Sequence, residues 1–164
     1  MGITPQFSPS LLRFVGEEIP GIFLHEIQRA LSYLGEQCVR RIRDRTAEES
    51  WEDRTGNLRS SIGYAVYEEG RLEIESAFEQ VAGGSAGTAE GRRVVAELAS
   101  EYADTFALVI LAGMEYAPYV EAMRKKDVLA SAELWARSKI HEYIDKGAAR
   151  ALRQIEKRMR ELGG

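Results

Sequence analysis

The chain has 164 residues, 45% hydrophobic and 29% charged, a balance that places it as one soluble globular domain with a single core. Its longest apolar run, residues 106–114, is nine long against the roughly 20 that a bilayer requires, which excludes a membrane-spanning helix. The net charge is only −4, but it is unevenly placed: residues 1–45 sum to +1, residues 46–121 to −10 and residues 122–164 to +5. Such a chain can pair with copies of itself or present two electrostatically different surfaces, whereas whole-protein attraction to nucleic acid wants a positive balance.

Ser8-Pro9 starts the first helix, because Ser caps free backbone donors and proline at the first helical position gives up no needed hydrogen bond. A short helix over 9–18 follows within an N-terminal arm of residues 1–19. Pro20 then begins a longer helix to about Arg45, with Phe23, Ile27, Ala30, Leu31, Leu34, Cys38 and Ile42 recurring at three- and four-residue steps. Arg40, Arg41, Arg43 and Arg45 sit in its last turns, where cations meet the negative end of the helix dipole. Residues 53–57 read as a polar turn.

The period then drops to two. Ile62, Tyr64 and Val66 alternate with Gly63, Ala65 and Tyr67, and after Gly70 the residues Leu72, Ile74, Ser76 and Phe78 alternate with charged neighbours, which predicts a β-hairpin with one face in the core. Residues 83–87 are Gly-Gly-Ser-Ala-Gly, whose default meaning is flexible chain, so 82–90 is expected as a mobile loop. Val94, Val95, Leu98 and Tyr102 predict a helix over 89–103, and the two-sided apolar run 106–111 predicts a strand in the middle of a covered sheet. From Asp127 a stripe running through Leu129, Ala136, Tyr143, Ala151 and Leu162 predicts a C-terminal helix over 128–162. At about 1.5 Å per residue that helix exceeds the diameter of the domain, so it either breaks near Gly147 or lies against another subunit or the first helix of its own chain. The expectation is a single α+β domain: a small, mainly antiparallel sheet of hairpin plus central strand, packed by long N- and C-terminal helices.

Catalytic chemistry finds little support. Cys38 is the one cysteine and His25 and His141 the two histidines, which excludes an intramolecular disulfide and any Cys- or His-rich metal centre, though counting leaves a carboxylate site open. Gln6 stands where an acylated Met1-Gly2 start needs Ser or Thr, and the first 20 residues lack the pattern of a secretory leader. The Gly-rich stretch lies between a predicted strand and helix, as phosphate loops do, yet no Lys-Ser or Lys-Thr follows it. His25-Glu26 has Arg29 where a zinc-protease helix needs its second ligand, and Ser60, Ser61 and Ser131 have no nearby histidine. No catalytic residue, cofactor or metal is expected. The basic residues Arg150, Arg153, Lys157, Arg158 and Arg160 could meet phosphates, but Glu156 and Glu161 dilute them and no aromatic residue follows Tyr143 for a base to stack on.

Two segments are not generic. Thr55-Gly56-Asn57-Leu58-Arg59-Ser60-Ser61-Ile62 leads into the hairpin, and Gly113-Met114-Glu115-Tyr116-Ala117-Pro118-Tyr119-Val120-Glu121 joins the last strand to the last helix. In this order and spacing they resemble the minor tail or neck proteins of long-tailed bacteriophages and prophages, the group that includes tail-completion proteins. The resemblance covers about residues 30–136. Ala122 to Asp127 depart from it, since a Gly-Thr pair and a proline-containing segment often stand there in the family.

Physically, Gly56 permits a tight turn, Leu58 and Ile62 can bury on the sheet, Arg59 can pair with a carboxylate, and Tyr116, Pro118 and Tyr119 turn the chain toward the last helix. Thr55, Gly56, Leu58, Arg59, Ile62, Gly113, Tyr116, Tyr119 and Glu121 are therefore fold determinants first and interface candidates second. The resemblance implies a non-enzymatic virion component acting in head-tail joining or tail completion. It further implies a homo-oligomeric ring beside neighbouring neck or tail proteins, close to DNA without binding it specifically, with no membrane partner, assembled in the host bacterial cytoplasm and carried into the virion. In such a ring Glu73, Glu75 and Glu79 are candidates to face the channel. The alternative is a nucleic-acid-binding accessory protein that uses the basic last helix.

Overall fold

In the computed structural model, which describes residues 8–123 and 127–163, Ser8 caps helix α1 (Pro9–Arg13) by accepting the Leu11 N–H at 3.2 Å. A π-helical turn, Phe14–Glu18, joins it directly to α2 (Ile19–Arg43). The expected break before Pro20 is absent. At the π turn the Ile19 N–H reaches back five residues to the Phe14 carbonyl, so the ladder has already shifted where proline has no N–H to give. The seven residues before Ser8 lie outside the described part, as do residues 124–126. α2 buries Ala30, Leu31, Leu34, Cys38 and Ile42, the face its spacing foretold, and ends at Arg43.

After a short helix α3 (Asn57–Ser60) comes the hairpin of β1 (Ile62–Glu68) and β2 (Arg71–Glu75). Glu69 and Gly70 between the strands have φ of 47° and 78°, the left-handed pair that a two-residue hairpin loop needs to match strand twist. β2 stops at Glu75, short of the alternation that runs to Phe78. Phe78 itself has φ 49° and is 2% exposed, so the chain leaves the strand and drops the phenyl ring into the core.

The sheet is antiparallel throughout, in the order β2-β1-β3, where β3 is Phe106–Ala112. β3 is thus an edge strand, and the central strand is β1, buried from Ile62 to Tyr67. The two-sided apolar character of β3 reports cover on both sheet faces, which is a separate matter from its position in the sheet order. On one face Ile62, Tyr64 and Val66 pack with α2 and the start of the C-terminal helix; on the other Ala65, Tyr67 and Leu111 pack with Phe78 and Val95 of α4 (Ser85–Leu98). The hairpin therefore has both faces covered, not one. α4 begins at Ser85, inside the stretch expected as loop, and ends in a 3-10 turn, Ala99–Tyr102.

The last elements are α5 (Ala117–Ala122) and α6 (Ala130–Gly163), the latter 34 residues without a break. Gly147 is a contact rather than a hinge: a Cβ there would stand 2.9 Å from the Glu26 carbonyl oxygen, at the close crossing of α6 and α2. α6 runs antiparallel to α2, from Cys38 beside Ala132 to Glu18 beside Arg158. Its distal half thereby buries Ala151 and Ile155 on its own chain. No helix among the described residues is long and apolar enough to cross a membrane.

Candidate functional site

Arg59 organises the first motif. Its guanidinium donates to the carbonyls of Arg43 and of Arg45, the latter at 3.2 Å, lies 3.4 Å from the Asp53 carboxylate, and stands over the Trp51 ring at 5.1 Å. The carbonyls at the end of α2 lack intrahelical donors, so one side chain caps that helix and fixes the returning chain. Gly56 has φ +75°, and a Cβ there would run into the Ala82 carbonyl; Leu58 and Ile62 are 2% and 0% exposed. Thr55 is exposed, its hydroxyl accepting the Asn57 N–H at 3.4 Å.

The Gly-rich stretch closes over this motif. Gly84 lies against Ser60 and Gly87 against the Asn57 carbonyl with no room for a Cβ, while Asn57 Oδ1 accepts the Gly87 N–H at 3.1 Å and Ser60 Oγ accepts the Val81 N–H at 2.9 Å. Residues 85–90, expected within a mobile loop, are helical, and the glycines serve close packing. Gly113 continues the seam: its N–H donates to the Ser61 carbonyl at 3.0 Å, and a Cβ on it would meet Gly91 Cα at 2.7 Å.

Within the second motif Pro118 occupies the first turn of α5, and Glu121 reaches across to α6. Its carboxylate accepts the N–H groups of Val128 at 2.8 Å, Leu129 at 2.7 Å and Ala130 at 3.2 Å, donors that a helix start leaves free. Asp127 completes the junction by accepting the Ser131 N–H at 3.2 Å and pairing with Arg45 at 2.7 Å. Burial pushes the Asp127 carboxyl up, but the bonds from Ser131 and Arg45 outweigh it and hold it below the usual range.

The two motifs meet in one open cleft of about 530 Å³, lined by Trp51, Asp53 and Leu58 from one side and Tyr116, Val120 and Met123 from the other. Tyr116 and Met123, which line it, are 39% and 57% exposed, and Tyr119 on α5 is 74% exposed. Trp51 Nε1 and Asp53 Oδ2 are buried and have no hydrogen-bond partner among the described residues. The cleft thus has apolar walls, with the Trp51 indole N–H buried and unpartnered behind them and the Asp53 carboxylate facing Arg59. Trp51 and Asp53 were not singled out from sequence, because the turn that buries them has no period; an aromatic residue inside a polar stretch was the available signal.

The remaining candidates stand apart from this cleft. Glu73 and Glu75 lie exposed on the edge strand β2 and Glu79 just beyond it; Glu73 pairs with Arg71 and Glu79 with Arg43, each at 3.4 Å. Part of the basic character of α6 is used internally. Buried Glu26 accepts from Arg150 Nε and Gln154 Nε2, both at 2.6 Å, and the Arg150 bond holds its carboxyl below the usual range despite burial. Arg158 pairs with Glu18 at 3.3 Å. Burial pushes the Cys38 thiol up to about 11, leaving it un-ionised at neutral pH. Among the described residues no group of three or more His, Cys, Asp or Glu is placed to hold a metal ion. Comparison with family models, with curated proteins and with solved structures finds no match.

Proposed function

We propose that the chain is a non-enzymatic structural subunit of a phage or prophage particle, acting in head-tail joining or tail completion as a ring of identical copies. The observation that supports this reading is that the two segments carrying the resemblance, far apart in sequence, contribute to the two walls of one surface cleft that exposes Tyr116 and Met123, with exposed Tyr119 on the adjoining α5. A fold-only role would let those side chains bury; an assembly role gives their exposure a use. In the same reading the chain is made in the host cytoplasm and carried into the virion, next to other neck or tail proteins. Glu73, Glu75 and Glu79 would then rim the channel and repel phosphates as DNA slides past.

The nucleic-acid alternative draws on fewer cations than the sequence offers, since Arg137, Lys146, Arg150 and Arg158 each already pair with a glutamate. Titrating DNA at several salt concentrations separates the two. The structural reading expects at most weak, sequence-independent binding, and a tight complex whose affinity falls steeply with salt overturns it in favour of the alternative.

A further inference from the structure

We propose that the free edge of β3 pairs antiparallel with β3 of a second copy, so that two three-stranded sheets join into one across a twofold axis. The pairing stands apart from the ring reading, because a twofold contact closes at two copies and a ring needs a different face. β3 has the sequence of a central strand in the position of an edge: seven residues, Phe106–Ala112, with no charge, no proline and no register shift against β1. The opposite edge is guarded. β2 has five residues, a register shift opposite Val66 and Tyr67, and Arg71, Glu73 and Glu75 along it, the devices that keep an edge strand from pairing.

The register decides which groups β3 leaves open. The Gly113 N–H donates to the Ser61 carbonyl and the Glu69 N–H to the Thr105 carbonyl, and between them β1 pairs Gly63 with Leu111, Ala65 with Val109 and Tyr67 with Ala107. The odd-numbered residues of β3 therefore bond to β1, while Phe106, Leu108, Ile110 and Ala112 turn their N–H and carbonyl groups outward, where no described residue bonds them. An open groove of about 570 Å³ runs along that edge. Leu108, Val109 and Ile110 line it in succession, and since successive side chains alternate between the two faces, the groove sits on the edge and on neither face alone. A row of unpaired backbone groups takes another strand. Side-chain size selects β3 itself. With Val109 opposite Val109 of the second copy, Phe106 faces Ala112 and Ala107 faces Leu111, large against small, and Leu108 faces Ile110. In this register the outward groups of Leu108 and Ile110, and of Phe106 and Ala112, meet as hydrogen-bonded pairs. Glu133 and Arg137 in the groove are of opposite sign and pair with each other, so a second copy meets no excess of like charge.

Val109 would meet its copy as a non-hydrogen-bonded pair with Cα atoms about 4.5 Å apart, inside the range that a disulfide spans. The full chain with Val109→Cys, treated with copper–phenanthroline, should become a disulfide-linked dimer, each pair of thiols giving up two protons and two electrons to the oxidant. Ala107→Cys, roughly 14 Å from its copy in this register, should stay unlinked. Cys38 is buried with its thiol un-ionised and serves as a silent background. Ala112→Pro removes an outward N–H and no bond to β1, so it should keep the thermal melt and weaken dimerisation about tenfold or more in analytical ultracentrifugation. Amide hydrogen exchange of the unaltered chain reads the same edge without a substitution: the Leu108 and Ile110 N–H groups should gain at least about tenfold protection from dilute to concentrated solution. Equal linking of both cysteine variants, or none from Val109→Cys in a chain that native mass spectrometry finds assembled, overturns the pairing and leaves the ring reading standing. A chain monomeric at every concentration, with those two amides exchanging freely, overturns it as well and leaves the edge to a strand of another protein. Linked dimers that form no ring uphold the pairing while the ring reading fails.

Discussion

Arg59 joins three parts of the chain that are apart in sequence. It ties the last carbonyls of α2, the Asp53 carboxylate and the Trp51 ring into one corner, and it is only 18% exposed. Arg59→Ala removes these contacts and leaves Asp53 with its charge uncompensated, so urea denaturation should show a loss of about 2–4 kcal/mol; a loss under 0.5 kcal/mol would mean the corner is held by packing alone. The pairing of Arg59 with a carboxylate was legible in the sequence, as was the burial of Leu58 and Ile62. Its capping of α2 was not, because that depends on residues 44–58 folding back on a helix end. Glu26 carries the clearest pH dependence. Its folded carboxyl is held below its ordinary value of 4.5 by the Arg150 bond, so its contribution is complete above that value and is lost as pH falls through the folded one. Glu26→Gln should flatten the acid limb of the stability curve between neutral and acid pH, and an unchanged limb would show that Glu26 is not its source.

At the scale of elements, periodicity found the helices and strands but misjudged what lay between them. The apolar spacing of α2 and the alternation of β1 mapped directly onto buried faces, since each face meets one neighbouring layer. The glycines were harder to read. Gly-Gly-Ser-Ala-Gly was expected as loop, and a break near Gly147 was one of the alternatives for the long last helix, beside packing on another subunit or on its own first helix; both glycine sites lie where backbone approaches backbone, Gly87 on Asn57 and Gly147 on Glu26. Composition cannot distinguish glycine that frees the chain from glycine that lets another chain come near. Gly87→Ala forces its Cβ into the Asn57 carbonyl and should cost about 1–3 kcal/mol by thermal or chemical denaturation, whereas a flexible stretch would tolerate it or gain stability. Pro20 is a similar case, since a π turn one residue upstream absorbs the missing donor that the sequence reading took for a break.

For the whole molecule the decisive feature is the cleft near the start of α6, with exposed Tyr116 and Met123 in its lining. The charge division along the chain did not foretell that the two resembling motifs would face each other across one cleft, which only the tertiary fold brings about. The acidic group on and beside β2 yields a separate expectation. Replacing Glu73, Glu75 and Glu79 with Lys should barely alter folding, because exposed charges usually change stability by under about 0.5 kcal/mol, but should slow DNA ejection in particles that carry the variant. Normal ejection would remove these residues from the channel and leave the subunit role intact. The central claim, a structural subunit that works as a closed ring, is tested most directly by electron microscopy of the purified full-length chain near 0.15 M salt. The account predicts rings of one size with an opening wide enough for a DNA duplex; monomers, or open aggregates of no fixed number, would contradict it.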